Sequence, residues 1–246
     1  MITALLTTVP LMALLGLHDV GLASRENRAI SIPAPAALDT TVWSIARAAY
    51  VTARERGLAQ REFLVVIDYS RPSTERRMWV VNMFSGALVT RTHVAHGSGS
   101  GAATPFRFSN RVNSNQSSLG VFITGESYIG QHGRALRLDG VEPGINDMAR
   151  VRNVVFHGSR YVSDWLAERS GRIGRSQGCP AVAEDEARRL VPILEGGAVL
   201  FAWYPERTWL QRSRWIPDAL RQAMLPTLPP KDFAKQGRRR GSRRTV

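Results

Sequence analysis

A mainly β fold with a few short helices, sandwich-like or a partly closed barrel, is what this sequence predicts. Three observations carry that reading. Apolar runs of strand length recur at 63–67, 78–82, 87–95, 120–124, 135–138, 151–157 and 199–203, rich in Val, Ile, Phe and Trp. Turn-forming residues separate them, with Ser85-Gly86 as a tight turn and the Gly-, Ser- and Asn-rich stretch 97–118 as a long loop. Helical periodicity is confined to a few short stretches, so helices decorate the core and do not build it. At 246 residues the chain can bury one substantial core.

Residues 2–17 are an apolar run with no charged side chain, and Gly21-Leu22-Ala23 follows with small residues at a signal-peptidase spacing. Residues 1–23 therefore read as an export signal. The run is short of the roughly 20 residues a membrane span needs, and no stable transmembrane segment is expected. Residues 24–37, with Pro33 and Pro35 among Ala and Ser, read as a linker. Over 38–57 the apolar positions Val42, Ile45, Ala46, Ala49 and Ala53 recur at helical spacing, Asp39 or Thr40 can cap, and Gly57 stops the pattern. This is an accessory helix that packs on the main domain.

The main domain is placed over 62–205. Its strand at 151–157 delivers His157 to its end, and 164–168 form a helical turn in the loop beyond. Residues 183–194 read as a helix with Glu184, Asp185 and Glu186 in its first turn, favourable for the helix dipole. Trp209, Trp215, Leu220, Met224 and Leu225 make 206–230 an amphipathic helical extension. Residues 231–246, with seven basic residues and one acidic, read as a disordered tail.

Thirty-three Lys and Arg against twenty Asp and Glu give a net charge of +13, and the tail holds nearly half of that excess. Arginine clusters attract polyanions with a steep salt dependence. The tail lacks interleaved aromatics for base stacking, so anionic envelope polymers are the expected partner and no specific nucleic acid is. Gly97-Ser98-Gly99-Ser100-Gly101 runs into Ala-Thr-Pro with no helix start and Lys, which argues against a nucleotide. The histidines lack ligand spacing and the cysteine is unaccompanied, so neither metal nor other cofactor is expected.

The only cysteine, Cys179, sits in Gly174-Arg175-Ser176-Gln177-Gly178-Cys179-Pro180. A lone cysteine is often an inert apolar filler. Here Gly178 removes a side chain where a carbonyl would approach and Pro180 fixes φ, which suits a tight, exposed elbow. A thiol attacks as thiolate, and a positioned imidazole can take its proton. His157, in Val154-Val155-Phe156-His157-Gly158-Ser159, is the natural base.

Together these two blocks resemble the His-Gly and Ser-x-Gly-Cys signature of the L,D-transpeptidases, the YkuD-like murein enzymes. Further blocks extend the likeness to the murein L,D-transpeptidase catalytic domain branch over about 62–204. They are Ile67-Asp68-Tyr69-Ser70, Val94-Ala95-His96-Gly97, Phe108-Ser109-Asn110, Ser117-Ser118-Leu119-Gly120 and Tyr128-Ile129-Gly130-Gln131-His132-Gly133. The resemblance implies a mixed β-sandwich, peptidoglycan stem peptides as substrate, and a periplasmic or cell-envelope location. It implies a backbone carbonyl of Gly158 or Ser159 orienting His157, and oxyanion donors among Gln177, Gly178 and Cys179. Ser176, Arg175, His96, His132 and Tyr128 are the expected substrate-binding residues, with turn or core histidines as the plainer reading of His96 and His132. Where the family often carries Asn or Arg two residues past the cysteine, this chain has Ala181. Arg172 and Arg175 are substitutes by position.

Acyl transfer through a thioester is the reaction expected. An amine acceptor makes the protein an L,D-transpeptidase, and water makes it an L,D-carboxypeptidase or cross-link hydrolase. A non-catalytic envelope protein that binds anionic polymers is the reading from another class.

Overall fold

The computed structural model describes residues 32–131 and 133–227. The expected export signal, the basic tail and His132 lie outside them. Helix α1 (Thr40–Glu55) comes first, followed by β1 (Phe63–Asp68), β2 (Met78–Asn82) and β3 (Leu88–Thr92). The hairpin of β4 (Gly120–Gly130) and β5 (Gly133–Gly140), then β6 (Val155–Gly158), α2 (Asp164–Ser170), β7 (Ala181–Val182), α3 (Glu184–Leu194) and β8 (Val199–Trp203) complete the main domain. Two short helices, α4 (Arg207–Arg212) and α5 (Asp218–Met224), end the described chain.

The strands run in the order β3-β2-β1-β8-β4-β5-β6-β7. Only β1·β8 and β6·β7 are parallel, so the sheet is mixed. The chain leaving β3 does not stay at that edge. It crosses to the other end, where Ala95 N–H donates to the Ala181 carbonyl at 2.7 Å and Gly97 bridges to Ser176. The chain continuing from β3 thereby ties the two ends of the strand order together.

Strands β1 and β8 are near-continuous apolar runs because they are buried almost throughout. α1 packs against β1 and β8, and α3 packs against β6, β5 and β4. Asp39 caps α1 by accepting from the N–H groups of Thr41 and Val42. That satisfies two otherwise orphaned donors.

Several boundaries differ from the sequence reading. The third strand stops at Thr92 because 93–97 leave to pair with β7 and the cysteine loop. Of the 151–157 run only its last three residues are strand, in β6, which ends one residue further at Gly158. Asn153, at φ 53°, turns the chain just before it, a conformation asparagine tolerates better than most. The β4–β5 hairpin outruns its apolar runs because its outer half is polar, held by Arg150 on Glu126 and Asp139. Residues 32–37 are not a free linker: Trp43 Nε1 donates to Ile32 O at 2.9 Å and Trp79 Nε1 to Ala36 O at 3.1 Å. The C-terminal segment is two helices, since the Ser213 N–H closes α4 on Trp209 O and Pro217 precedes α5.

Candidate active site

Strand β6 pairs with β7 so that His157 lies opposite Ala181, with its N–H 3.4 Å from the Pro180 carbonyl. Cys179 is two residues before that register partner. A parallel strand pair thus brings side chains 22 positions apart in sequence to one place. Both line a single open cleft of about 610 Å³.

His157 is buried, and its Nδ1 lies 2.9 Å from the Gly158 carbonyl. A carbonyl only accepts, so Nδ1 carries the proton and Nε2 is the basic nitrogen of the neutral ring. Gly158 itself is pinned. A Cβ there would meet Ala187 Cβ and Glu184 Cα at 2.9 Å, so only glycine lets α3 pack this close. The Ser159 N–H, donating to Val182 O at 2.8 Å, fixes the same turn from the other side.

The Cys179 sulfur is half-buried. It accepts from the Val155 N–H at 3.4 Å and lies 3.7 Å from the Asn153 carbonyl. Burial pushes the thiol above its ordinary pKa, and the Val155 N–H and the Arg152 charge oppose that rise.

The cysteine loop is braced on every side by the glycine-rich loop before it. Ser176 N–H donates to His96 O at 3.0 Å, Ser98 N–H to Ser176 O at 2.7 Å, and Ser117 Oγ to Gly178 O at 3.2 Å. A Cβ on Gly97 would stand 2.9 Å from Gly178 Cα, so the two backbones touch only because both are glycine. Ser176 Oγ donates to Cys179 O at 2.6 Å and accepts from Gly178 N–H at 3.1 Å. Ser176 is therefore a hydroxyl strut inside the loop. The Gly178 N–H is engaged by that strut, which leaves Gln177 and Cys179 as the other N–H groups of the stretch.

The structure sorts the remaining expected residues. Gln177, Tyr128 and Arg175 line the cleft. Arg175 spends Nη1 on Ser98 O and Gly101 O, at 3.3 and 2.8 Å. Arg172 does not line the cleft; its guanidinium turns to the carbonyl of Ile173. His96, expected at the substrate pocket, is instead fully buried behind the glycine loop. Its Nδ1 accepts from Arg77 Nη2 at 2.8 Å. Desolvation, then the Arg77 charge, hold the ring neutral and push its pKa down to about 3. It is a core histidine because the 93–97 crossover runs through the interior.

Lining residues that the sequence reading did not single out include Arg152, Asn153 and Tyr161. Arg152 and Asn153 sit in what reads as an apolar strand, and nothing in one sequence marks Tyr161. Among the described residues no cluster of His, Cys, Asp and Glu could hold a metal ion, and no helix is long and apolar enough to cross a membrane.

A mixed sheet with a His-Gly strand end against a Ser-Gln-Gly-Cys loop defines the class, that of L,D-transpeptidase-type catalytic domains. The chain belongs to the L,D-transpeptidase catalytic domain family, whose family model matches residues 35–203 and so takes in α1. Solved structures similar to it include an L,D-transpeptidase from Mycobacterium smegmatis, at 13% identity and TM-score 0.37, covering 58% of this chain and 59% of that one. Another is the helical cell shape determining protein Pgp2 from Campylobacter jejuni, at 10% identity and TM-score 0.38, covering 72% and 59%. A third is an L,D-transpeptidase from Xylanimonas cellulosilytica, at 14% and 0.35, covering 74% and 92%. The chain spans less than two thirds of the length of the first two. No curated protein matches it.

Proposed function

We propose that this protein is an exported L,D-transpeptidase that uses Cys179 to transfer acyl groups between peptidoglycan stem peptides. The observation that carries this reading is the shared cleft, with a half-buried thiol and an imidazole whose proton is parked on the Gly158 side. Nε2 of His157 takes the thiol proton, and sulfur attacks the carbonyl of the stem peptide. The tetrahedral intermediate collapses as the C–N bond breaks, and His157 returns the proton to the leaving amine. A second amine then attacks the thioester, its proton passing to the same nitrogen and on to the departing sulfur. Gln177 and Cys179 N–H groups serve the oxyanion, where a single donor typically contributes about 3 to 4 kcal/mol.

Charge in the cleft fits a substrate with free carboxylates. Among the described residues its charged side chains, Arg152 and Arg175, are both cationic, and no Asp or Glu lines it. Nε and Nη2 of Arg175 have no partner among the described residues, so Arg175 takes the substrate carboxylate that Ala181 cannot. Tyr128, whose ring carries Arg137 4.6 Å from its centroid, lines the same cleft.

Intact mass of wild type and Cys179→Ala, after incubation with a carbapenem and separately with disaccharide tetrapeptide, tests the reading. A covalent adduct on wild type alone, with release of the terminal D-residue, is expected. Turnover by Cys179→Ala would overturn it. Dimeric muropeptides distinguish transfer to an amine from transfer to water.

A further inference from the structure

Arg152 precedes β6, on the turn that Asn153 closes, and lines the cleft with Cys179. Its guanidinium is half-buried and held by neutral groups. Nη1 donates to Ser109 O at 2.7 Å and Ser118 Oγ at 2.6 Å; Nη2 donates to Gln116 O at 2.5 Å and lies 3.3 Å from Ser114 Oγ. No carboxylate pairs with it among the described residues, and desolvation lowers its pKa. A half-buried cation set only among neutral acceptors is costly.

Two observations place this cation beside the cysteine loop. A Cβ on Gly178, at φ +129°, would stand 3.3 Å from Arg152 Nη2, so the guanidinium borders the residue just before the cysteine. The loop it grips is the one whose Ser117 hydroxyl donates to Gly178 O. We propose that Arg152 is the fixed counter-charge of the Cys179 thiolate and, through the 109–118 loop, the residue that positions the cysteine. This rests on Cys179 being the nucleophile.

The alternative use of Arg152, as a clamp for the substrate carboxylate, is disfavoured because both Nη atoms are already committed to the loop. The other titratable or charged groups around the sulfur are His157, Arg175, Tyr128 and Tyr161 in the cleft and Tyr69 behind the loop. None of the tyrosines supplies positive charge; Arg175 is turned through Nη1 onto Ser98 and Gly101, and of the two cleft arginines it is Arg152 whose charge acts on the thiol. Arg152 and His157 are left to share the compensation. Arg152 holds its charge at every working pH, whereas the imidazole must be neutral to act as base.

The test is the pH dependence of Cys179 alkylation by iodoacetamide in the full-length protein, which needs no murein substrate. Its result is therefore separable from a failure of the transpeptidase reading, which turnover reports. Arg152→Gln should move the midpoint up by about one unit or more, with about tenfold less thiolate at a given pH below it. Arg152→Lys, which keeps the charge but loses the fork, should stay close to wild type in midpoint. Equal midpoints in wild type and a folded Arg152→Gln, or a Lys variant as impaired as Gln, would overturn the assignment. If the Arg152 variants do not fold, the same titration of His157→Gln decides. A midpoint raised by less than about one unit supports a charge other than the imidazole, and loss of the alkylatable thiolate across the range defeats it.

Discussion

Gly178 shows how much of this site hangs on one missing side chain. Its φ of +129° is one that L side chains rarely adopt, and a Cβ there would lie 2.9 Å from the Gln116 carbonyl. Gly178→Ala should lower Cys179 alkylation and turnover together while thermal unfolding shifts by only a few degrees, because the strain falls on a loop and not on the core. His157→Gln should lower kcat by about 10²- to 10⁴-fold, the usual contribution of a positioned general base, with a smaller effect on KM. His96 makes a prediction of another kind. Its pKa is depressed to about 3 in the folded protein and lies near 6.5 when unfolded. The unfolded state therefore binds a proton first, and stability present above about pH 6.5 drains away as pH falls towards 3, by up to about 1.4 kcal/mol per unit. Urea titrations at pH 4 and 7 should show a smaller pH dependence in His96→Gln than in wild type; an unchanged difference would contradict the buried neutral ring.

At the scale of elements, the sequence is a good guide where period and capping agree. Helix α1 falls within the 38–57 stretch, where the apolar positions follow one helical stripe and Asp39 stands at the cap. Asp39→Ala should cost about 1 kcal/mol, read from the denaturant midpoint with an unchanged slope. The 183–194 stretch is helix over Glu184–Leu194 on period alone, its buried Ala187, Leu190, Val191 and Leu194 recurring at helical spacing while Ala183 offers no side-chain cap. The reading runs out where a chain changes partners. Nothing in 87–95 says that it leaves β3 at Thr92, because the partner it leaves for lies some 85 residues away in β7. Nor does the apolar texture of 151–157 reveal the turn at Asn153, although that turn sets the carbonyl beneath the sulfur.

For the molecule as a whole, the C-terminal segment is part of the domain's core. Trp209 packs edge-on to Trp203 at 5.6 Å, Trp215 Nε1 donates to Val141 O at 3.3 Å, and Trp209 Nε1 lies 3.4 Å from buried Glu142. Cutting the chain after Glu206 would expose that carboxylate and the aromatic cluster, and burying three such rings stabilises by several kcal/mol. The truncated protein should melt well below the intact one or fail to accumulate as folded protein. Removing only 237–246 should weaken salt-sensitive adsorption to anionic envelope polymers and leave turnover of small soluble peptides intact; loss of that turnover would refute an auxiliary tail.

Local chemistry alone determined the β-rich texture, the helices at 40–55 and 184–194, the pairing of Cys179 with His157 as candidates, and the family to which the chain belongs. Each depends on a short window of residues, where spacing and residue type act directly on the backbone. Tertiary structure decided which of the expected site residues face one cleft. It sent His96 into the core, made Ser176 a strut, and brought Arg152 to the cysteine loop. Those outcomes depend on contacts between segments tens of residues apart, formed by strand order and loop crossing, and no local pattern encodes them.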